Sequence, residues 1–213
     1  DSGRIVYVAA DAQAAARAAA EIAGFSGEQP ALLCAKDEVL LYKDALSKDA
    51  LFRRINALYA FQKGARITVC DAESLLQIFP GEIPSLLLEE GKETDFSSLP
   101  AKLIRLGYVR SAAVESRGNF ALRGDILDIY PVNAENPVRV DFFGDEVEKI
   151  KPYDFVTGER LAQVSSFEIA AATDVFFSEG EEKEIKDALY GELSSFTAVS
   201  YTHLRAHETL RHL

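Results

Sequence analysis

Four groupings of side chains in this 213-residue chain are of types and spacings that could do chemistry. His203 and His207 stand four apart, which on a helix would place two imidazoles on one face, as a metal site needs. Asp125 with Asp128, and Asp145 with Glu146, could act as paired carboxylates for general acid and base work. Cys34 and Cys70 could join in a disulfide. The middle of the chain is locally arginine-rich, and a guanidinium fork can bond a carboxylate bidentately and stack on a neighbour.

Most of these dissolve on inspection. The stretch 199–209, VSYTHLRAHET, resembles the translation of a transposase adapter used in sequencing libraries, and residues 199–213 are set aside as non-native tail. All three histidines, His203, His207 and His212, go with it. Without Arg205, Arg211 and Glu208 the rest carries 21 basic and 33 acidic residues, net −12. Histidine catalysis and zinc ligation by Cys and His are therefore not expected, and neither is any other metal or cofactor. On a strand, Asp125 and Asp128 point to opposite faces unless a bulge intervenes, and Asp145 and Glu146 lie in a turn, so structural roles are expected for all four. Each cysteine sits in an apolar, strand-like run and reads as a buried free thiol in a reducing cytoplasm. Neither GxxxxGK[ST] nor GxGxxG is present, which leaves no phosphate loop for a nucleotide enzyme.

Composition agrees with a binding role. With 48% hydrophobic and 27% charged residues the chain reads as a globular protein. No apolar run reaches the roughly 20 residues needed to span a bilayer, so no membrane is expected as partner. A formal charge of −11 repels phosphate backbones and argues against broad nucleic-acid binding. The acidity is uneven: residues 101–160 hold nine Lys or Arg against ten Asp or Glu, including six of the 13 arginines. The chain opens on Asp1 and enters a strand at once, which reads as a cut N-terminus.

Residues 1–83 alternate apolar strands with helices. IVYVA at 5–9 is a strand; Asp11 caps an alanine-dense helix ending near Gly24; ALLCA at 31–35 is the next strand. Asp49 can cap a helix carrying Leu51, Ile55 and Leu58 on one stripe, with Gly64 after its end. ITVC at 67–70 follows, and Asp71 opens a short helix stopped by Pro80. Apolar strands alternating with helices predict a parallel sheet covered by helices. From about Pro84 the pattern becomes antiparallel: a strand at 85–89, a helix at 98–106, then strands at 108–114, 119–132, 138–143 and 146–151, with Gly144-Asp145 as a hairpin turn. The apolar phase of 119–132 switches from Phe120 and Leu122 to Leu127 and Ile129, which predicts a β-bulge at Gly124. More strand material follows residue 160, then an acidic helix near 181–190.

The residues GYVR…VESRGNFALRGDILDIYPV…NPVRVDFFGDEVEKIKPYD, 107–154, closely resemble the interaction domain shared by transcription-repair coupling factors and the excinuclease subunit UvrB. ALSKDALFRRINALYAFQKGARITVCDAESLLQIFP, 45–80, is similar to the coupling factor's first lobe. The resemblance extends over about residues 4–190. It implies an α/β fold in which a partial parallel-sheet RecA-like lobe carries an inserted α+β antiparallel domain. The expected division is a degenerate nucleotide-binding-like lobe over 1–83, the interaction domain over 84–160, and a return to the first lobe over 161–198.

In that family the domain docks on the excision-repair ATPase UvrA through arginines on its sheet. The implied docking residues are Arg110 of the Gly-Tyr-x-Arg motif and Arg123 of the Arg-Gly motif, with Tyr130, where the family usually has Phe, and Arg117 beside them. The plainer alternative pairs these arginines with Asp125, Asp128 or Glu115 as ordinary surface charges. RNA polymerase, DNA and ATP hydrolysis belong to family domains absent here. UvrB remains the alternative family, but strand 67–70 runs straight into DAESLLQIFP with no tyrosine-rich damage-probing hairpin.

Overall fold

The computed structural model describes residues 3–35, 48–77 and 79–176, together with residues 184, 187 and 188. Residues 1–175 form one compact unit and residues 176–213 a second. The predicted acidic helix at 181–190 falls in the second unit and, apart from helical Glu184, Asp187 and Ala188, lies outside the described residues.

Parallel pairing begins at once. Strand β1 (Ile5–Ala9) and strand β2 (Ala31–Leu33) flank the wholly buried β3 (Ile67–Asp71), both parallel to it. Helix α1 (Ala12–Ser26) starts where Asp11 accepts the Ala14 amide at 2.7 Å, and runs past Gly24 to a left-handed Gly27. Its Ala15 and Ala19 pack on Ala9, Ile67 and Val69. Helix α2 (Lys48–Gln62), with Asp49 in its first turn, sets Ala57 and Leu58 against Leu33 and Cys70. Val69 and Cys70 are neighbours in β3, so their side chains leave opposite faces and each face has its own helix. Small alanines let α1 approach the sheet closely. Both thiols are free, and burial pushes both above the usual thiol range.

Helix α3 (Ala72–Leu76) follows β3 without a gap, its Ser74 amide capped by Asp71 at 2.7 Å. The chain then passes α2, where the Gln62 amide clamps the backbone of Ile83 from both sides: Nε2 donates to its carbonyl at 3.1 Å and Oε1 accepts its amide at 2.7 Å.

The second half is antiparallel in most of its pairings. Strand β4 (Ser85–Glu89) pairs with β10 (Ser166–Ala170), and helix α4 (Leu99–Arg105) packs beside a five-stranded sheet. That sheet runs in chain order: β5 (Val109–Arg110), β6 (Asn119–Arg123), β7 (Ile126–Ile129), β8 (Val138–Phe143), β9 (Glu146–Pro152). Phe120, Leu127, Ile129, Val138, Val140, Val147 and Ile150 alternate inward and are fully buried. Truncating any one of the larger of them to alanine would cost about 2–5 kcal/mol.

Two expectations are corrected. Gly124 is not a bulge: Arg123 pairs with Ile126 across a two-residue Gly124-Asp125 turn, with Gly124 at φ 58. Gly144-Asp145 turns the same way between Phe143 and Glu146. A glycine first in a two-residue turn matches the twist of the strands, and the turn itself accounts for the phase switch. The bulge lies instead where Asp141 pairs with Lys149 but Phe142 with Val147. Nor is the 108–114 segment a full strand turning back; β5 is two residues long and parallel to β6.

The segment after residue 160 is tied to both halves. Glu168 of β10 accepts from Lys63, in the turn after α2, and from Ser85, each at 2.6 Å. Asn133 bonds the free edge of β10, donating to Glu168 O at 2.8 Å and accepting from the Ala170 amide at 3.0 Å. Buried Tyr108 donates to Ala170 O at 2.7 Å and accepts from the Val132 amide at 3.3 Å.

Candidate protein-docking face

Cross-strand partners share a sheet face, so the register alone sorts the side chains. With the apolar set turned inward, the outward set is Ala121 and Arg123 on β6, Ile126 and Asp128 on β7, Arg139, Asp141 and Phe143 on β8, and Glu146, Lys149 and Lys151 on β9. This face mixes both signs of charge.

Its centre is an ion pair. Asp128 and Arg139 are direct cross-strand neighbours, and the carboxylate takes Nε at 2.7 Å and Nη2 at 2.8 Å. The aspartate side chain is 8% exposed and the arginine 41%. These bonds raise the Arg139 pKa further, and its guanidinium carbon lies 5.9 Å from the centre of the Tyr153 ring. Beside it, Lys151 reaches Asp141 at 2.6 Å. One member of each carboxylate pair considered for catalysis is engaged: Asp128 holds Arg139, and Asp145 accepts the Phe96 amide at 3.0 Å.

Of the four residues proposed from sequence, two come together. The Arg117 guanidinium lies 5.3 Å from the centre of the Tyr130 ring, and that ring packs on Phe155 at 5.2 Å. The Tyr130 hydroxyl donates to Glu135 O at 2.8 Å. Arg123 is exposed at the tip of β6 and donates to Ala112 O at 3.0 Å. Arg110 is exposed on the edge strand and bonds no other described residue. It pairs with Phe120, whereas Arg123 falls in the alternate phase, so by register the two arginines do not share one face.

A five-stranded sheet in chain order, a helix ahead of it and a closing strand pair together span 85–170. The UvrB interaction domain family matches residues 86–175, the same region. These residues are a UvrB interaction domain. Similarity extends beyond the domain on its N-terminal side. The chain is 32% identical to the transcription-repair-coupling factor of Myxococcus xanthus over 82% of its own length and 16% of the relative's. It is 34% identical to UvrABC system protein B of Clostridium botulinum over 75% of its length and 25% of the relative's. It is 39% identical to UvrABC system protein B of Thermus thermophilus over 48% of its length and 16% of the relative's. The chain therefore spans a quarter or less of these curated relatives.

Sequence reasoning passed over two residues on the outer face of this UvrB interaction domain. Arg139 was hidden because nothing local announces that Asp128 lies across from it. Phe143 was legible: in VRVDFF the inward positions are Val138, Val140 and Phe142, so Phe143 is an aromatic residue in the outward phase. It is 80% exposed, and it stands on the sheet face that carries Arg123 and Arg139.

Proposed function

We propose that this chain is a protein-interaction module of nucleotide excision repair that recruits UvrA, and that it does so through the outer face of the UvrB interaction domain. The observation that carries the reading is the position of Phe143, an exposed ring in the same sheet phase as Arg123 and Arg139. Aromatic residues and arginines on one face are enriched at the energetic centres of protein interfaces. Arg110 extends the surface around the β5 edge, and Arg117 with Tyr130 and Phe155 extends it at the opposite end of β7. A partner reaching all of them wraps an edge of the sheet.

No catalysis is assigned to this chain. The sequence holds no phosphate loop, and one carboxylate of each pair considered, Asp128 and Asp145, is engaged in hydrogen bonds. Similarity to coupling factors and to UvrB is nearly equal, so the second reading is a piece of UvrB. The direct passage of β3 into α3 favours the coupling factor, since it leaves no room there for a long damage-probing hairpin.

The test is titration of the full chain with purified UvrA. Micromolar or tighter binding, weakened by Arg123→Ala and Arg110→Ala by about 1–3 kcal/mol each, supports the reading. Absence of binding by the unaltered chain overturns it, and binding to damaged DNA in its place favours UvrB.

A further inference from the structure

We infer that Asp128 is a positioning residue for docking, and that the group it prepares Arg139 to receive is a carboxylate of UvrA. The inference rests on the function just proposed. A guanidinium has two edges that can each hold a carboxylate by two parallel bonds, one made of Nε and Nη2, the other of Nη1 and Nη2. Asp128 fills the first, at 2.7 and 2.8 Å. No other described residue bonds the second, so that edge remains available.

Three features make this arrangement a directed donor and not only a structural pair. Asp128 is nearly inaccessible, so an approaching partner meets the cation and not the anion behind it. The pair joins directly opposed residues of β7 and β8, so the backbone fixes where the carboxylate stands. Tyr153 flanks the guanidinium, restricting it further. An arginine held in this way has surrendered much of its rotamer freedom before the partner arrives, which lowers the cost of binding. Arg123 on the same face presents a second guanidinium. On a face that otherwise mixes both signs of charge, the complement of these two guanidiniums is carboxylates on a protein partner. A phosphate has similar acceptor geometry, but the net charge of −11 opposes approach to nucleic acid.

The experiment is a double-mutant cycle on the full chain, reading affinity for UvrA with Asp128→Asn, Arg139→Ala and the two combined. Asparagine keeps the size of the side chain but turns one acceptor into a donor facing Nη2. Each single change is expected to weaken binding about tenfold or more, the combined change no further than Arg139→Ala alone, and Arg139→Lys is not expected to rescue. If Asp128→Asn does not fold, Asp128→Ser takes its place in the same cycle. Losses that multiply in the combined variant, or an Asp128 variant that folds and binds like the unaltered chain, overturn the inference and leave docking intact. Arg139→Ala weakening duplex DNA binding and not UvrA binding also overturns it, with phosphate as the anion. Failure of the docking proposal looks different, because there the unaltered chain does not bind UvrA at all.

Discussion

Gly118 and Phe52 meet so closely that a β-carbon on the glycine would stand 2.6 Å from Cζ of the ring. Gly118 belongs to the turn that leads into β6, and Phe52 to α2, so this contact seats the edge of the five-stranded sheet on α2. The glycine is required twice over, because its φ of +79 is also one that side chains rarely adopt.

Gly118→Ala is therefore expected to destabilise the chain by about 2–4 kcal/mol, combining left-handed strain with overpacking. Urea unfolding measures it. In a Phe52→Ala background the same substitution should cost less, since only the backbone strain is left. An equal cost in both backgrounds would show that the ring is not what excludes the methyl group.

Glu168 gives the chain an acid limit. Burial alone would raise its carboxyl, but Lys63 and Ser85 bond it and hold it at about 2, below its ordinary 4.5. A lowered folded-state value means the stabilisation is complete above pH 4.5 and is lost as pH falls toward 2. The same bond raises Lys63, so its contribution is present below 10.5 and disappears as pH rises through the raised value. Glu168→Gln should flatten the acid limb of stability against pH, read from urea midpoints between pH 2 and 6. An unchanged slope would rule out this carboxylate as the cause.

Tyr108→Phe should cost about 1–3 kcal/mol, because it leaves the Ala170 carbonyl and the Val132 amide without the hydroxyl they share in the core. Burial drives the phenol well above its ordinary range, so the hydroxyl keeps its proton throughout the accessible pH range. Calorimetric melting of the variant checks the size of the loss.

Phe143→Ser separates binding from folding. Stability should stay within about 0.5 kcal/mol of the unaltered chain, as for other exposed positions. Affinity for UvrA should fall by about 2 kcal/mol if the ring is a centre of the docking face. Full retention of affinity would remove Phe143 from that face.

Much of this architecture is written locally. Asp11 and Asp71 cap helices because a short acidic side chain before a helical run meets its free amides, and both do so at 2.7 Å. The Gly144-Asp145 hairpin and the inward set of β8 follow from turn chemistry and a period of two. The error at Gly124 has a local cause as well: a bulge and a two-residue turn both switch the apolar phase, and a single strand's pattern does not distinguish them.

What the amino-acid order determined by itself was which residues face inward, where helices start, and where the chain must turn, because each depends on neighbours a few positions away. The tertiary structure alone decided that β5 lies parallel to β6, that Asn133 bonds the edge of β10, that Phe52 fills the space beneath Gly118, and that Asp128 holds Arg139. Side-chain alternation states the face a residue occupies but not the strand beside it. Partners for charge are chosen by register between distant segments, and that register is fixed only when the whole core packs.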